Sequence, residues 1–175
     1  MPEPLLDIRS LSVSFATRDG SVSPVREVSA SLQRGEILGV VGESGSGKSM
    51  LGNAIMRLLP AAAKTTGEVM FDGRDLLALT ERDMRGLRGN DIAMIFQDSL
   101  SSLNPVLRVG EQMVEAIQVH RKLPTSDCMS LARDTLGKMG IPSPEERLQA
   151  YPFEFSGGMR QRVSIAIALH LTLRI

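Results

Sequence analysis

Four stretches of the chain carry patterns of apolar and polar residues that predict β-strands. Residues 6–9 and 11–15 are short and rich in apolar side chains, and within residues 28–32 three apolar side chains alternate with two serines. Such alternation is typical of a strand with one covered and one exposed face. Residues 67–71 are predicted to form a further strand, closed by a tight turn at Asp72 and Gly73.

Two other stretches are apolar without alternation. Residues 37–41 read Ile-Leu-Gly-Val-Val, and residues 92–96 read Ile-Ala-Met-Ile-Phe. Consecutive apolar side chains are typical of strands that are covered on both faces. We therefore expect two buried strands in the core.

Apolar residues recur at helical spacing in several remaining stretches. The first predicted helix follows residue 47 and ends before Pro60, and the second is a short helix capped by Thr80 and Asp83 that ends near Gly89. Three more helices are predicted: residues 109–122, a helix that ends at Gly140, and a last helix that begins with Gly157 and Gly158. Residues 141–144 contain two prolines and are predicted to form a loop.

The composition of the 175-residue chain limits the classes of protein to which it can belong. Hydrophobic residues make up 42% and charged residues 23%, as in one globular domain of ordinary size. Lys plus Arg and Asp plus Glu both total 20, so the net charge attracts neither nucleic acid nor anionic lipid. The single cysteine, Cys128, excludes an internal disulfide. The longest mainly apolar run, residues 163–173, is shorter than the roughly 20 residues that span a bilayer, so we expect any membrane association to depend on a partner.

The clearest chemical motif follows the first predicted buried strand. It consists of Gly42, Glu43, Ser44, Gly45, Ser46, Gly47, Lys48 and Ser49, which match the pattern G-x-x-x-x-G-K-[ST]. The glycines let the backbone curl so that successive N–H groups point at phosphate oxygens, and the start of the next helix adds partial positive charge. Lys48 is expected to reach the β- and γ-phosphates, and Ser49 to place its hydroxyl on Mg²⁺. The motif predicts a site for a nucleoside triphosphate.

A second glycine motif opens the last predicted helix. Ser156, Gly157 and Gly158 precede a stretch with two arginines, residues 159–162. Two glycines at a helix start expose backbone donors that suit an anion. With Phe155 in front, the segment resembles the signature motif of the ATP-binding subunits of ABC transporters, Leu-Ser-Gly-Gly-Gln followed by a basic helix. Phe155 and the methionine after the glycines depart from the general signature but are usual in the branch that powers peptide importers.

The resemblance extends along essentially the whole chain. Residues 95–98 (Ile-Phe-Gln-Asp) and 100–105 (Leu-Ser-Ser-Leu-Asn-Pro) are similar to the Q-loop region of the same branch. Tyr151 and Pro152, ahead of the signature, are similar to that branch as well. Three motifs therefore occur in the family's order and at its intervals, which implies ATP-driven peptide import.

The resemblance implies a role for each matching residue. Phe15 falls where an aromatic ring stacks on adenine, with a core phenylalanine as the alternative. Gln97 falls where a glutamine touches Mg²⁺ or the attacking water, and is a catalytic candidate beside Lys48. Ser156, Gly157 and Gly158 would contact the γ-phosphate of ATP held by the opposite subunit. Two subunits would then enclose two ATP molecules.

The resemblance also implies an architecture. We expect an α/β fold, a P-loop NTPase core of the ABC type with an antiparallel β subdomain and an inserted helical subdomain. Residues 1–98 would form the core and β subdomain, residues 99–155 the helical subdomain, and residues 156–175 the signature helix and the chain end. The implied partners are a second ATP-binding subunit, two membrane-spanning permease subunits and a periplasmic peptide-binding protein, with no nucleic acid. The implied location is the cytoplasmic face of a bacterial inner membrane.

Two acids of the family are absent from this sequence. In the family, a magnesium-binding Asp and a water-polarising Glu end a buried strand after the signature helix, but no Asp or Glu occurs here after Glu154. We therefore expect a domain that is truncated before that strand. It is either a gene product broken by a frameshift or stop codon, or a fragment of a longer reading frame. The unusual last five residues favour the broken gene product. Asp98 is the alternative magnesium acid, whereas His120 and His170 are expected to be a surface and a helix-face histidine.

We therefore predict that the chain binds ATP without hydrolysing it at a rate that supports transport. A positioned base contributes about 10²–10⁴ in rate, whereas Lys48, Ser49 and Gln97 supply only positioning and neutralisation of charge. Steady-state phosphate release by the purified chain, beside a Lys48→Ala variant, measures this. Lys48-dependent turnover of about 1 s⁻¹ contradicts the prediction and makes Asp98 a catalytic candidate.

Two other functions are compatible with the motifs. One is a non-hydrolysing, nucleotide-binding remnant of a transporter subunit. The other is a chromosome-maintenance or repair ATPase with the same signature. Three features of the sequence argue against this function: the balanced charge, the lack of long coiled-coil heptads, and the Ser-Leu-Asn-Pro segment at residues 102–105. A phosphate-release assay tests the first, and a DNA-binding titration tests the second.

Overall fold

The computed structural model describes residues 3–18, 20–96 and 102–172, and only the backbone of residues 170–172. The chain divides into two compact units, Met1–Met84 and Arg85–Ile175. Each unit has buried apolar residues of its own. The predicted domain boundaries after residues 98 and 155 stay a prediction.

The first unit is built on an antiparallel sheet with the strand order β2-β1-β3-β4. The strands are β1 (Leu6–Thr17), β2 (Gly20–Leu32), β3 (Ala63–Phe71) and β4 (Arg74–Asp75). Ile8 of β1 pairs with Ala30 of β2 on one side and with Val69 of β3 on the other. Ile8 and Val69 are buried, so the predicted apolar face of the sheet is the covered one.

Strand β1 is continuous where the sequence predicted two short strands. Ser10 has a φ of 46°, and the register between β1 and both of its neighbours shifts around it. A bulge of this kind absorbs a residue without ending the strand, and Leu11 returns to the interior. Opposite the bulge, a Cβ on Gly67 (φ 97°) would lie 2.6 Å from the carbonyl oxygens of Arg9 and Ser10. This close approach requires glycine at position 67.

The predicted tight turn at Asp72 and Gly73 and the predicted helix cap at Thr80 are both confirmed. Asp72 and Gly73, with φ values of 48° and 75°, form the tight turn between β3 and β4. The Thr80 hydroxyl accepts a hydrogen bond from the Asp83 backbone N–H at 3.2 Å at the start of α2 (Glu81–Leu87). This hydrogen bond caps one of the free donors of the first helical turn.

Helix α1 (Lys48–Ile55) begins at the phosphate-loop lysine and ends earlier than the stop predicted at Pro60. Arg57 adopts φ 52°, its N–H donates to Ala54 O at 3.1 Å, and the Leu58 N–H donates to Asn53 O at 2.8 Å. These two bonds form a Schellman motif, which closes a helix through one left-handed residue. The Arg57 guanidinium also donates to the carbonyl oxygens of Leu76 and Leu79, which helps to hold this unusual backbone.

The second unit is a helical bundle. Its longer elements are α3 (Val109–His120), α4 (Thr125–Lys138), α5 (Pro144–Gln149) and α6 (Gly157–Thr172), with a 3₁₀ turn at Pro152–Glu154. Their shared core consists of Leu103, Val109, Met113, Val114, Ile117, Cys128, Ala132, Leu136, Ile141, Leu148, Phe155, Val163 and Ala166. None of the helices described combines the length and apolarity that a membrane crossing requires.

The predicted helix ends in this unit are largely correct. Gly140 (φ 68°) follows α4, and the Ile141 N–H returns to Leu136 O at 3.0 Å. Ile141 and Leu136 are both buried, which completes a Schellman motif with its hydrophobic contact. The loop predicted for residues 141–144 is shorter than expected, because Pro144 occupies the first turn of α5.

The two predicted buried strands are wrong as secondary structure. Residues 37–41 lie outside the strands of the described sheet, and residues 92–96 contribute only an isolated parallel bridge between Ile92 and Arg88. Ile37 is 95% exposed and Val41 94% exposed. A strand requires a neighbour that pairs with it over several residues, and within the described residues no strand lies beside either apolar run.

Candidate functional site

The loop of residues 42–49 connects the apolar run of residues 37–41 to helix α1. The Ser46 N–H donates to Glu43 O at 3.2 Å, and the Leu51 N–H donates to Gly47 O at 2.8 Å as the helix begins. Gly45 and Gly47 adopt φ values of 79° and 93°, which side chains with a Cβ rarely allow. The backbone is therefore curled as the sequence motif predicts, at a helix N-terminus that favours anions.

One loop glycine, Gly47, is required by a contact with backbone inside the fold, whereas the atom nearest to a Cβ on Gly42 is a serine hydroxyl that can rotate. A Cβ on Gly47 would lie 2.3 Å from the carbonyl oxygen of Pro24 in β2, and a Cβ on Gly42 would lie 2.6 Å from Ser46 Oγ. A Cβ on Gly45, by contrast, would meet no atom within 4 Å. The loop is thus held against β2 at Gly47 and is open to solvent at Gly45.

The Lys48 ammonium lies across the loop. Its Nζ donates to Gly42 O at 2.7 Å, Glu43 O at 2.6 Å and Ser46 Oγ at 3.2 Å. All three acceptors are neutral, so the positive charge of the ammonium is not compensated by these contacts. A phosphate oxygen can replace such an acceptor with a charged one, and charge-assisted hydrogen bonds are roughly twice as strong as neutral ones.

An open cavity of about 500 Å³ adjoins the loop within the first unit. One wall is formed by residues 23–26 and Val28 of β2, and the other includes Gly42, Gly47 and Lys48. Its volume lies within the range of about 300–1,000 Å³ that is usual for small-molecule sites. The contribution of β2 could not be predicted, because no local signal links a strand to a loop some twenty residues later.

Ser49 fits a magnesium ion that is held largely by phosphate oxygens. It lies in the first turn of α1 beside Lys48, and its side chain is exposed. Mg²⁺ accepts hydroxyl ligands and usually keeps phosphate and water oxygens around it. Within residues 3–18, 20–96 and 102–172, no group of three or more His, Cys, Asp or Glu side chains is placed to hold a metal.

Phe15, the residue predicted to stack on adenine, lies near the end of β1. It pairs with Val22 of β2 and Ala63 of β3 and is half-buried. It does not belong to the described lining of the cavity beside the loop. Gln97 and its alternative Asp98 lie outside the described residues. The roles of Phe15 and Gln97 stay predictions.

The second glycine motif begins α6 in the second unit. The Ser156 hydroxyl accepts a hydrogen bond from the Met159 N–H at 3.3 Å, and Ser156 O accepts one from the Arg160 N–H at 2.9 Å. Gly157 and Gly158 are exposed, and a Cβ on either would meet no atom within 4 Å. Unlike Gly47, these glycines are not required by a close contact with any part of their unit that the structure describes.

The residue before this motif is fixed in the core. Phe155 is buried, and the Arg147 guanidinium lies 5.7 Å from the centre of its ring. In front of it, the rings of Tyr151 and Phe153 are stacked with centres 5.6 Å apart, and the Arg108 guanidinium lies 5.9 Å from the Tyr151 ring. The start of α6 is therefore supported by a cation–aromatic arrangement that spacing along the sequence did not predict.

The chain can be assigned to a protein family by comparison with known families. The ABC transporter family model matches residues 25–175 of the chain. The chain belongs to the ABC transporter family. This confirms the resemblance and the α/β fold class, including the antiparallel sheet and the helical unit.

Several curated members of the ABC transporter family are similar along nearly the whole chain. The oligopeptide transport ATP-binding protein OppD of Bacillus subtilis is 47% identical over 94% of this chain and 47% of its own length. The dipeptide transport ATP-binding protein DppD of the same organism is 48% identical over 95% of this chain and 50% of its own length. The OppD protein of Escherichia coli is 46% identical, with coverages of 94% and 49%. The chain thus spans about half the length of the curated relatives it matches.

Solved structures of ABC cassettes have the same fold. A dimeric, post-hydrolysis state of the ATP-binding cassette MJ0796 bound to ADP and Pi matches with a TM-score of 0.82 and 25% identity, covering 95% of this chain and 69% of that one. The cbiO1 protein of Clostridium perfringens, part of the ABC transporter complex cbiONQ, matches in fold with a TM-score of 0.71, 24% identity and coverages of 97% and 62%.

Proposed function

We propose that this chain is an ATP-binding, energy-coupling subunit of an ABC transporter that imports peptides. The observation that carries the proposal is the Lys48 ammonium, held by three neutral oxygens across a curled glycine loop at the start of α1. The peptide branch is supported by relatives named for oligopeptide and dipeptide transport, at 46–48% identity.

Each residue of the loop has a separate task in this proposal. The N–H groups of residues 42–47 and the start of α1 bind phosphate oxygens, and Lys48 supplies the fixed positive charge at the β- and γ-phosphates. Ser49 contributes a hydroxyl ligand to Mg²⁺, and Gln97 orients the attacking water or contacts the same ion. Mg²⁺ held there would neutralise negative charge on the phosphates. Phe15 stacks on the adenine.

The start of α6 acts on the nucleotide of a second subunit. Gly157 and Gly158 leave open space around their α-carbons, and none of the described atoms of their unit lies within 4 Å of a Cβ at either position. A bare backbone of this kind allows an anion to come close to the N–H groups of a helix start. Ser156, Gly157 and Gly158 therefore bind the γ-phosphate of ATP held by the partner subunit, and two subunits enclose two ATP molecules.

Pairing of the subunits is tested by replacing Gly158 with alanine. Because the Cβ meets no described atom within 4 Å, we expect the free energy of unfolding to change by less than about 0.5 kcal/mol and the ATP affinity of each subunit by less than about twofold. Self-association with a slowly hydrolysed ATP analogue, measured by sedimentation velocity, is expected to weaken about tenfold, since the new methyl group meets the partner's phosphate. Gly137→Ala in α4, which also meets no atom, is the matched control. Equal association of all three proteins contradicts this role of the glycines.

Membrane partners are tested with vesicles that contain the two permease subunits of a peptide importer. The chain is proposed to lie at the cytoplasmic face of a bacterial inner membrane, bound to those permeases and supplied by a periplasmic peptide-binding protein. We expect it to float with permease-containing vesicles in a density gradient and to stay behind with protein-free vesicles. Equal flotation with both vesicles contradicts binding through the permeases.

A further inference from the structure

One side-chain amide in the second unit makes an unusually complete set of hydrogen bonds with a loop. Gln112, in the first turns of α3, accepts a hydrogen bond from the Asn104 N–H at 2.8 Å through Oε1. Its Nε2 donates to Asn104 O and to Leu107 O, both at 3.0 Å. The Gln112 amide thus pairs with both backbone groups of Asn104, as a neighbouring strand would.

The loop that Gln112 holds has little regular structure of its own. Residues 102–108 lie outside helices and strands, and within them the Asn104 side chain accepts a hydrogen bond from the Val106 N–H at 3.1 Å. Leu103 is buried in the core of the helical unit. Ordering backbone is costly in entropy, and the three Gln112 hydrogen bonds offset part of this cost for the loop.

The same loop reaches helix α6. Ser102 Oγ and Ser164 Oγ lie 2.7 Å apart in a hydrogen bond, and Ser164 Oγ also donates to Arg160 O at 3.1 Å. Leu103 shares the buried cluster with Val163 of α6. A continuous set of contacts therefore runs from Gln112 through the loop to the first half of α6.

We infer that Gln112 is a positioning residue for the start of α6. By fixing residues 104–107 it holds Leu103 and the Ser102–Ser164 hydrogen bond in place, and these contacts set the orientation of the helix that begins with Gly157. The inference rests on the proposed function, in which Ser156, Gly157 and Gly158 bind the γ-phosphate on a second subunit. Only an amide serves, because the site needs one acceptor and two donated hydrogens.

The test compares Gln112→Glu and Gln112→Leu with the unmodified chain. Gln112→Glu keeps the size and shape of the side chain but turns both donated hydrogen bonds into contacts between oxygens. A residue that only fills space tolerates this change, and a carboxylate near the start of α3 suits the helix dipole. Gln118→Leu is the matched control, because the Gln118 amide lies on the same helix and donates to Leu123 O and Thr125 Oγ1 at its other end.

The first measurement is amide hydrogen exchange in the absence of nucleotide. We expect both Gln112 variants to exchange about tenfold faster at the amides of Asn104 and residues 156–160, with α4 unchanged. Gln118→Leu is expected to leave these amides as they are in the unmodified chain. Faster exchange throughout the helical unit, or unchanged exchange at residues 156–160, overturns the inference.

The second measurement is association driven by the slowly hydrolysed ATP analogue. We expect the Gln112 variants to pair about tenfold more weakly while each subunit binds the analogue with unchanged affinity. Pairing as strong as that of the unmodified chain overturns the inference and leaves the proposed function standing. If the unmodified chain binds the analogue but does not pair, the proposed role of the signature motif fails, and the inference fails with it.

Discussion

Replacing Lys48 with alanine is expected to weaken ATP binding about 100-fold. The Lys48 ammonium is the cation that the loop holds against Gly42 O and Glu43 O, where the phosphates of a nucleotide are proposed to bind. Hydrogen bonds to charged groups contribute about 1.5–3 kcal/mol each, and the lost attraction to a triphosphate adds to this. Isothermal titration of ATP with Mg²⁺ measures the change.

The control for this substitution is Lys64→Ala. Lys64 is an exposed lysine of β3 in the same unit, so its removal changes the net charge by the same amount. We expect its ATP affinity to stay within about twofold of the unmodified chain, since exposed charges are screened by salt. If Lys48→Ala binds ATP as tightly as Lys64→Ala does, the loop is not the phosphate site.

Replacing Gly47 with alanine is expected to lower the free energy of unfolding by about 3 kcal/mol and to remove ATP binding. The new Cβ would lie 2.3 Å from the Pro24 carbonyl oxygen, which belongs to the backbone of β2 and cannot rotate away. The φ of 93° adds backbone strain for any residue with a Cβ. Urea unfolding followed by circular dichroism measures the first effect, and titration with ATP measures the second.

Gly45→Ala separates the clash from the strain. Gly45 also has a positive φ, 79°, but a Cβ there meets no atom within 4 Å. We expect a loss of about 1 kcal/mol in the free energy of unfolding. Equal destabilisation by the two alanines shows that strain alone requires the glycines and that the contact between the loop and β2 contributes little.

The phosphate loop could be predicted from the sequence because its determinants are local. Gly45 and Gly47 set the backbone angles, and Lys48 reaches back to acceptors no more than six residues away. The end of α4 at Gly140 is predictable for the same reason, since glycine is the usual left-handed residue after a helix.

The end of α1 could not be predicted, because a distant contact determines it. Arg57 takes the left-handed position although it has a side chain, and its guanidinium bonds to Leu76 O and Leu79 O some twenty residues later. Pro60 is therefore the wrong stop signal. Nothing in the sequence near Arg57 marks it for this conformation.

The two apolar runs show that a hydrophobic pattern alone does not determine secondary structure. Residues 37–41 and 92–96 have the composition of buried strands, yet a strand exists only where another segment pairs with it. Composition indicates the environment that a segment prefers, and the pairing partner decides its secondary structure. The pairing of Gln112 with Asn104 could not be predicted from the sequence either. There a side-chain amide makes the hydrogen bonds that the backbone of a neighbouring strand would otherwise make.

The exposure of residues 37–41 has a practical consequence for handling the purified chain. Ile37 and Val41 present nearly their whole side chains to water, so attraction between molecules rises with whatever strengthens the hydrophobic effect. Sulfate and phosphate salts therefore promote precipitation, whereas cooling weakens the attraction and keeps the chain dispersed.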